Sequence, residues 1–532
     1  MRSPEKNAPP LMSNEYSDIQ IESSMPKPWE EEETFNDVLY EWMAKAPWLL
    51  ISGALHFVLF LIVAAIPWSV FEKSPETNVE ASIEQPPEEP IEEEEEEEEE
   101  IEEEETEEEP IIEDFEVSDH NETDTNEDFE SSEGNDSNAD SPFDSNNSNA
   151  VLGIGGGAGG KYGGRFGGRR NLRAAGGTGT EQAIKDGLEW LKNHQDESGG
   201  WDADEFWKHD DEKDQNERAD GGDPNHDIGV TGLALLAFLG DGHTMTRGAY
   251  REVVQKGIKW LAGQQDKETG IFGQELGQAF LYDHSIATLA MCETYYIDKS
   301  ILLKTKAQKA INYISRARNP YGAWRYAVPP DGDSDTSVTG WMIFAMKSAE
   351  EGKLKIDNEA YVAAIQFFDE MTDEGTGRVG YTERGSPSSR VAGMNQEQYP
   401  TDSGEALTAV GLLCRFFLGQ NPDDNPIMKD HAELILRRLP KWEPEKFGCD
   451  MYYWYYGSYA MFQMGGKYWK EWNKAMKPAV VESQRTDGGT SFKGSWDPVG
   501  PWGYAGGRVY STATMVLCLE VYFRYAKVLG AR

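Results

Sequence analysis

Six places in the chain set a charged residue at the head of an apolar run. They are Asp227-IGVTGLALLAFLG, Asp283-HSIATLAMCETYY, Asp335-TSVTGWMIFAMKSA, Asp402-SGEALTAVGLLCRFFLG, Asp450-MYYWYYGSYAMFQMGG and Arg508-VYSTATMVLCLEVYFRY. If the runs are helices lying side by side in one direction, their heads converge on one mouth, where a binding or catalytic site would sit, with Arg508 and Tyr510 near it. Asp is also among the best helix N-caps, worth about 1 kcal/mol against Ala, so capping is the competing reading for each acid. His226-Asp227 and Asp283-His284 head consecutive runs and would bring two imidazoles and two carboxylates together. His and Asp suit zinc, and an open coordination position activates water. Their spacing matches no recognised metal signature, and no metal or cofactor is expected. Aromatic residues are dense in the same runs: Trp341, then Tyr452, Tyr453, Trp454, Tyr455 and Tyr456, with Trp502 and Tyr504 just before the last run. Ring faces stabilise cations or stack on sugars, and Tyr and Trp need hydrogen-bond partners. Tyr452 and Trp454 are therefore expected to face a wet pocket; packing in the core is the alternative.

The elements that would position these residues repeat along residues 181–532 with a period of about 48 to 67 residues. One copy runs Asp186-Gly187-x-x-Trp190-Leu191-x-x-x-Gln195 and ends Gly199-Gly200-Trp201. The next runs Lys256-Gly257-x-x-Trp260-Leu261-x-x-x-Gln265 and ends Gly270-x-Phe272. A third keeps Tyr313-Ile314 and Gly322-x-Trp324 but has Arg318 for the Gln, and a late copy runs Ala479-Val480 to Gln484 and Gly494-x-Trp496. The segment preceding each apolar run is amphipathic, as in Glu181 to His194, whereas the runs are apolar nearly all round. The first helix of each pair should lie outside and the second inside. Six such hairpins closed in a ring give an all-α fold, an (α/α)6 toroid with one continuous core.

The Gln and Trp pattern resembles the repeats of the prenyltransferase and squalene oxidase superfamily, which includes squalene-hopene cyclases and the β subunits of protein prenyltransferases. The likeness covers residues 181–532 and is degenerate in Ala363 to Tyr381 and Ala432 to Trp442. It implies the toroid, and it implies that Gln195 with Trp201, Gln265 with Phe272 and Gln484 with Trp496 are structural, the amide reaching backbone groups of the neighbouring hairpin. Cyclases of this family carry D-x-D-D-T with the middle Asp as acid. The corresponding segment here is Asp331-Gly332-Asp333-Ser334-Asp335-Thr336, so either Ser334 replaces the acid or Thr336 replaces its assisting carboxylate. Asp333 and Asp335 are the candidate catalytic acids. The zinc site of the prenyltransferases is absent, since Cys449 and Asp450 are adjacent and no histidine follows His431. The layout also resembles membrane-anchored bacterial members of the superfamily.

Charge divides the 532-residue chain sharply. Its net charge of -47 is concentrated in residues 72–150, with 35 acids and one base, while residues 151–180 carry five bases and no acid. Residues 1–46 are read as a cytoplasmic segment. Residues 47–71 are read as one transmembrane helix, because the uncharged stretch Ala46 to Phe71 would reach about 39 Å against a hydrocarbon core of about 30 Å, with Trp48 and Trp68 near its ends. Residues 72–150 form an acidic, disordered spacer and residues 151–180 a Gly/Arg-rich linker. Four bases precede the span and only Lys73 follows it closely, so the toroid is expected outside the cytoplasm. Nucleic acid is not an expected partner, because no concentrated basic surface is encoded. The four cysteines, Cys292, Cys414, Cys449 and Cys518, show no CxxC spacing. The expected function is binding of a lipid-like or small apolar ligand, with cyclase-type chemistry if the protein is an enzyme. A non-catalytic envelope scaffold and a carbohydrate-active α/α barrel are the alternatives, the latter needing two carboxylates about 5 to 10 Å apart.

Overall fold

The computed structural model describes residues 176–524, apart from 216–218, 278, 321 and 392. The expected span, the acidic spacer and the linker up to residue 175 lie outside the described residues, among which no helix is long and apolar enough to cross a membrane.

Twelve main helices alternate between two layers. The outer ones are α1 (Glu181–Asn193), α3 (Arg251–Gly263), α5 (Ile301–Ala317), α7 (Glu359–Met371), α9 (Ile427–Leu436) and α11 (Gly466–Val481). The inner ones are α2 (Asp227–Gly240), α4 (Phe280–Asp298), α6 (Thr336–Glu351), α8 (Ala406–Phe417), α10 (Met451–Met464) and α12 (Gly503–Leu519). Each inner helix packs on the next, and α12 packs back on α2, so the six close a ring. Outer helices bury one stripe, in α1 Ile184, Gly187, Leu188 and Leu191, at the spacing of one helix face. In α2, by contrast, every residue from Gly229 to Gly240 is buried. Gly187 sets how close the layers come: a β-carbon there would lie 2.5 Å from Val516 Cγ2 on α12.

The repeat residues form identical latches. Gln195 Nε2 donates to Gly199 O and to Val253 O on the next outer helix, Gln265 Nε2 to Gly270 O and Lys306 O, and Gln484 Nε2 to Gly494 O and to Ala183 O of α1. The last contact joins the sixth hairpin to the first. Arg318 keeps the role in different chemistry, pairing with Asp357 at the foot of α7. The indoles of Trp201, Trp324 and Trp496 each donate to a carbonyl of their own outer helix. These pairings satisfy helix-end carbonyls that would otherwise be orphaned. The seam is tied again where Asn473 of α11 donates to Gly176 O and accepts from the Tyr522 hydroxyl at 2.7 Å.

A second repeated contact fixes each inner helix. Thr231, Thr339, Thr408 and Thr512 accept the backbone N–H of Trp201, Trp324, Val379 and Trp496, and His284 Nδ1 accepts that of Phe272 in the same way. At the C-terminal ends of α2, α4 and α12, buried Arg524 donates to Leu236 O and pairs with Glu293 and Glu520, both at 3.0 Å. All four cysteines are free and buried.

Candidate functional site

The N-terminal halves of the inner helices surround a chamber of about 600 Å³. The other half of the hub is filled: Trp341 stacks on Tyr455 with centroids 5.7 Å apart, and below them Phe344 meets Phe417 edge-on at 4.8 Å. Aliphatic side chains such as Val230, Leu233, Ile286 and Leu407 form part of the chamber wall, and nine aromatic side chains form much of the rest.

Where the lining comes from follows from the threonine register. In α2, Gly229 and Leu233 flank Thr231; in α4, Tyr282 and Ile286 flank His284; in α6, Ser337 and Trp341 flank Thr339; in α12, Tyr510 and Thr514 flank Thr512. Residues two before and two after the anchor are one helical turn apart and share the inward face.

Polar groups interrupt the apolar wall, among them two clusters built around an aspartate. In the first, His226 Nδ1 lies 3.1 and 3.0 Å from the two oxygens of Asp283, and both residues line the chamber. Burial disfavours the imidazolium, yet the Asp283 hydrogen bond and charge outweigh it and hold the His226 pKa above its usual value. In the second, Asp335 caps α6 by accepting the Val338 N–H at 2.8 Å and receives the Tyr381 hydroxyl at 3.3 Å; Tyr381 in turn meets the Tyr326 hydroxyl. Burial pushes the Asp335 carboxyl up to about 7. Tyr326 and Tyr381 line the chamber, and Asp335, with no exposure, sits behind them.

Of the other residues singled out in the sequence, Trp341, Tyr452 and Tyr510 line the chamber, and the Tyr452 hydroxyl bonds to Ser337 at 2.7 Å. Asp227 does not. Its Oδ1 accepts the Ala203 N–H, and it faces a side pocket of about 410 Å³ that shares His226 and Asp283 with the chamber. Burial raises its carboxyl to about 7, and one of its oxygens lies within 4.8 Å of an oxygen each from Asp202 and Asp204.

Five expectations are corrected. Trp454 is packed in the core beside Trp442, because two residues along a helix turn it about 200° from Tyr452. His284 is buried as an anchor, its second ring nitrogen 3.2 Å from Ala310 O, so the paired-imidazole arrangement does not form. Asp402 is exposed, four residues ahead of α8; buried Glu405 holds that helix entry and pairs with Arg378 at 2.6 Å. Arg508 follows a kink at Gly507 and is consumed by Asp220 and Asp497, away from the lining. Asp333 is exposed and paired with Arg325, while Ser334 accepts the Ala323 N–H inside its loop.

The sequence reading missed Tyr326, Tyr381, Arg325 and Arg390, which line the chamber from loops. A signal existed for the two tyrosines: each stands two residues after the residue whose N–H the threonine takes, Trp324 and Val379. Arg390, paired with buried Asp450 at 3.1 Å, had none.

The class this arrangement defines is an α/α toroid with a chamber among the N-terminal halves of its inner helices. No family model matches the chain, and no curated protein matches it by sequence. Solved structures similar to it include three enzymes. Unsaturated glucuronyl hydrolase from Bacillus sp. GL1 is 16% identical, over 65% of this chain and 96% of that one, with a TM-score of 0.45. An inactive variant of an α-1,6-mannanase of Salegentibacter sp. with bound α-1,6-mannotriose is 12% identical, over 64% and 98%, at 0.42. A type II terpene cyclase from Scytonema with geranylgeranyl dihydroxybenzoate is 14% identical, over 67% and 99%, at 0.39. The similarity is one of fold.

Proposed function

We propose that the toroid is a binding chamber for a lipid-like, largely apolar molecule, presented outside the cytoplasm by a membrane span at residues 47–71. The observation that carries this reading is the chamber itself: about 600 Å³ walled largely by aliphatic and aromatic side chains, with polar groups of its lining held by partners, His226 by Asp283, Tyr326 by Tyr381, Tyr452 by Ser337 and Arg390 by Asp450. The carbohydrate reading is disfavoured by the same wall. Among the described residues lining this chamber Asp283 is the single carboxylate, and His226 holds it, while Asp223 and Asp227 line the adjoining side pocket. Protonation by the cyclase pattern is disfavoured too, since Ser334 stands in one acid position and Asp333 points to solvent. Acid–base chemistry at the chamber falls to His226 with Asp283 and to the tyrosines in front of Asp335.

The test is to purify the full-length protein in detergent and identify what organic extraction releases, beside a Leu407→Trp variant that fills the chamber. A lipid retained by the wild type and lost from a variant with unchanged melting supports the reading. Equal content in both would sink it.

A further inference from the structure

Tyr326 and Tyr381 occupy the same position in two consecutive repeats, and that register makes their hydroxyls meet. Tyr381 continues the contact to Asp335 Oδ2, and the Tyr282 ring of α4 lies beside that of Tyr326, their centroids 6.2 Å apart. A line of hydroxyls thus connects a carboxyl with no exposure to the wall of the chamber.

The direction of that line depends on one proton. An ionised carboxylate only accepts, so Tyr381 donates to Asp335, Tyr326 donates to Tyr381, and the hydroxyl protons point away from the chamber. A neutral carboxyl can donate. Asp335 then donates to Tyr381, Tyr381 to Tyr326, and the Tyr326 O–H is released toward the chamber.

We propose that Asp335, Tyr381 and Tyr326 form a proton wire that presents a hydrogen-bond donor to a carbonyl oxygen of the chamber ligand and delivers a proton to that oxygen when it develops negative charge, as in an enolate. This rests on the reading of the chamber as an apolar binding site and names the functional group its ligand carries. The transfer balances. The Asp335 O–H bond breaks as Tyr381 takes its proton, Tyr381 passes its own to Tyr326, and the Tyr326 proton bonds to the ligand oxygen. Both phenols end as they began, with a carboxylate left at Asp335. That carboxylate is received by the Val338 N–H at the start of α6 and by Arg325, whose Nε lies 3.9 Å away.

The groups around Asp335 suit the role. Arg325 is balanced by Asp333, and the nearest other titratable groups are the phenols Tyr282 on α4 and Tyr452 on α10, with the His226–Asp283 pair next along the wall. Burial places the carboxyl at about 7, so the wire reverses near neutrality.

The test uses two probes of similar size, 2-acetylnaphthalene, which accepts a hydrogen bond, and 2-ethylnaphthalene, which does not. Binding to the full-length protein is measured by fluorescence between about pH 5.5 and about pH 8.5, either side of the Asp335 transition. The ketone is expected to bind about fivefold more weakly at the alkaline end, the hydrocarbon equally throughout. Asp335→Asn, which keeps a good helix cap, and Tyr326→Phe, which keeps the ring, should flatten the ketone profile, while the hydrocarbon, which takes no hydrogen bond, shows no pH dependence in either variant. A flat wild-type ketone profile overturns the wire, as does a profile that persists in both variants, which would assign the titration to His226. If neither probe binds the wild type, the apolar chamber itself is wrong and the wire goes with it.

Discussion

Gly229 of α2 and Asp283 of α4 are in contact through a missing side chain: a β-carbon on Gly229 would stand 2.2 Å from Asp283 Oδ1. That absence lets a carboxylate cross between neighbouring helices to reach His226 on the far side of the gap. Gly229→Ala gains about 1 kcal/mol of helix propensity but forces the carboxylate aside, and overpacking costs about 1–3 kcal/mol. Adding the lost His226 contact, the variant should be less stable by about 1–2 kcal/mol in urea unfolding. A more stable variant would show that the gap is not filled by Asp283.

His226 should titrate above its ordinary midpoint, and Asp283→Asn should bring that midpoint down. A histidine whose folded pKa is raised gives stability that is full below the unfolded pKa of about 6.5 and is lost as pH rises through the folded value. Proton NMR of the imidazole, assigned with His226→Gln, reads the midpoint directly. No change on Asp283→Asn would mean the pair is not electrostatically linked.

Gln484→Ala should open the seam of the ring, because Gln484 alone among the three latch glutamines reaches back to α1, at Ala183 O. Two hydrogen bonds at about 0.5–1.5 kcal/mol each predict a loss of about 1–3 kcal/mol. Gln195→Ala, within the ring, should cost the same by thermal melting if the toroid unfolds as one unit. A low-temperature transition confined to Gln484→Ala would show instead that the first and last hairpins separate independently.

Arg524→Ala removes the cation between Glu293 and Glu520 and should be far more damaging. All three side chains are fully buried, and breaking such a pair costs about 3–5 kcal/mol because charge is left uncompensated. Urea unfolding checks the magnitude; a loss below 1 kcal/mol, well under that of a buried pair, would mean that water reaches the cluster.

The ring of hairpins was legible because its marks are local and repeated: Gln195, Gln265 and Gln484 each close a turn onto the next outer helix, at fixed spacing from a Gly and an aromatic. The chamber was harder to read because the inner helices were aligned on their acids. The anchor that sets their register is Thr231, Thr339, Thr408 and Thr512, with His284 standing in for the fifth. On that register Asp283 matches Val230, one residue before the anchor, which is why it lines the chamber, whereas Asp227 and Asp335 lie four before and do not. Arg390 and Asp450 are 60 residues apart and meet only through tertiary packing, which no local pattern encodes.

Asn473 holds Gly176 with its amide nitrogen and Tyr522 with its amide oxygen, so the two extremes of the described fold meet at one side chain. A closed ring entered and left at a single point has no privileged starting unit. A circular permutant with a short bridge from Arg524 to Gly176, which keeps the buried Arg524 cation, and new termini at the exposed pair Asp423 and Asp424, should therefore reach the same fold. Chain order would then be a historical accident of this molecule, and closure its physical requirement.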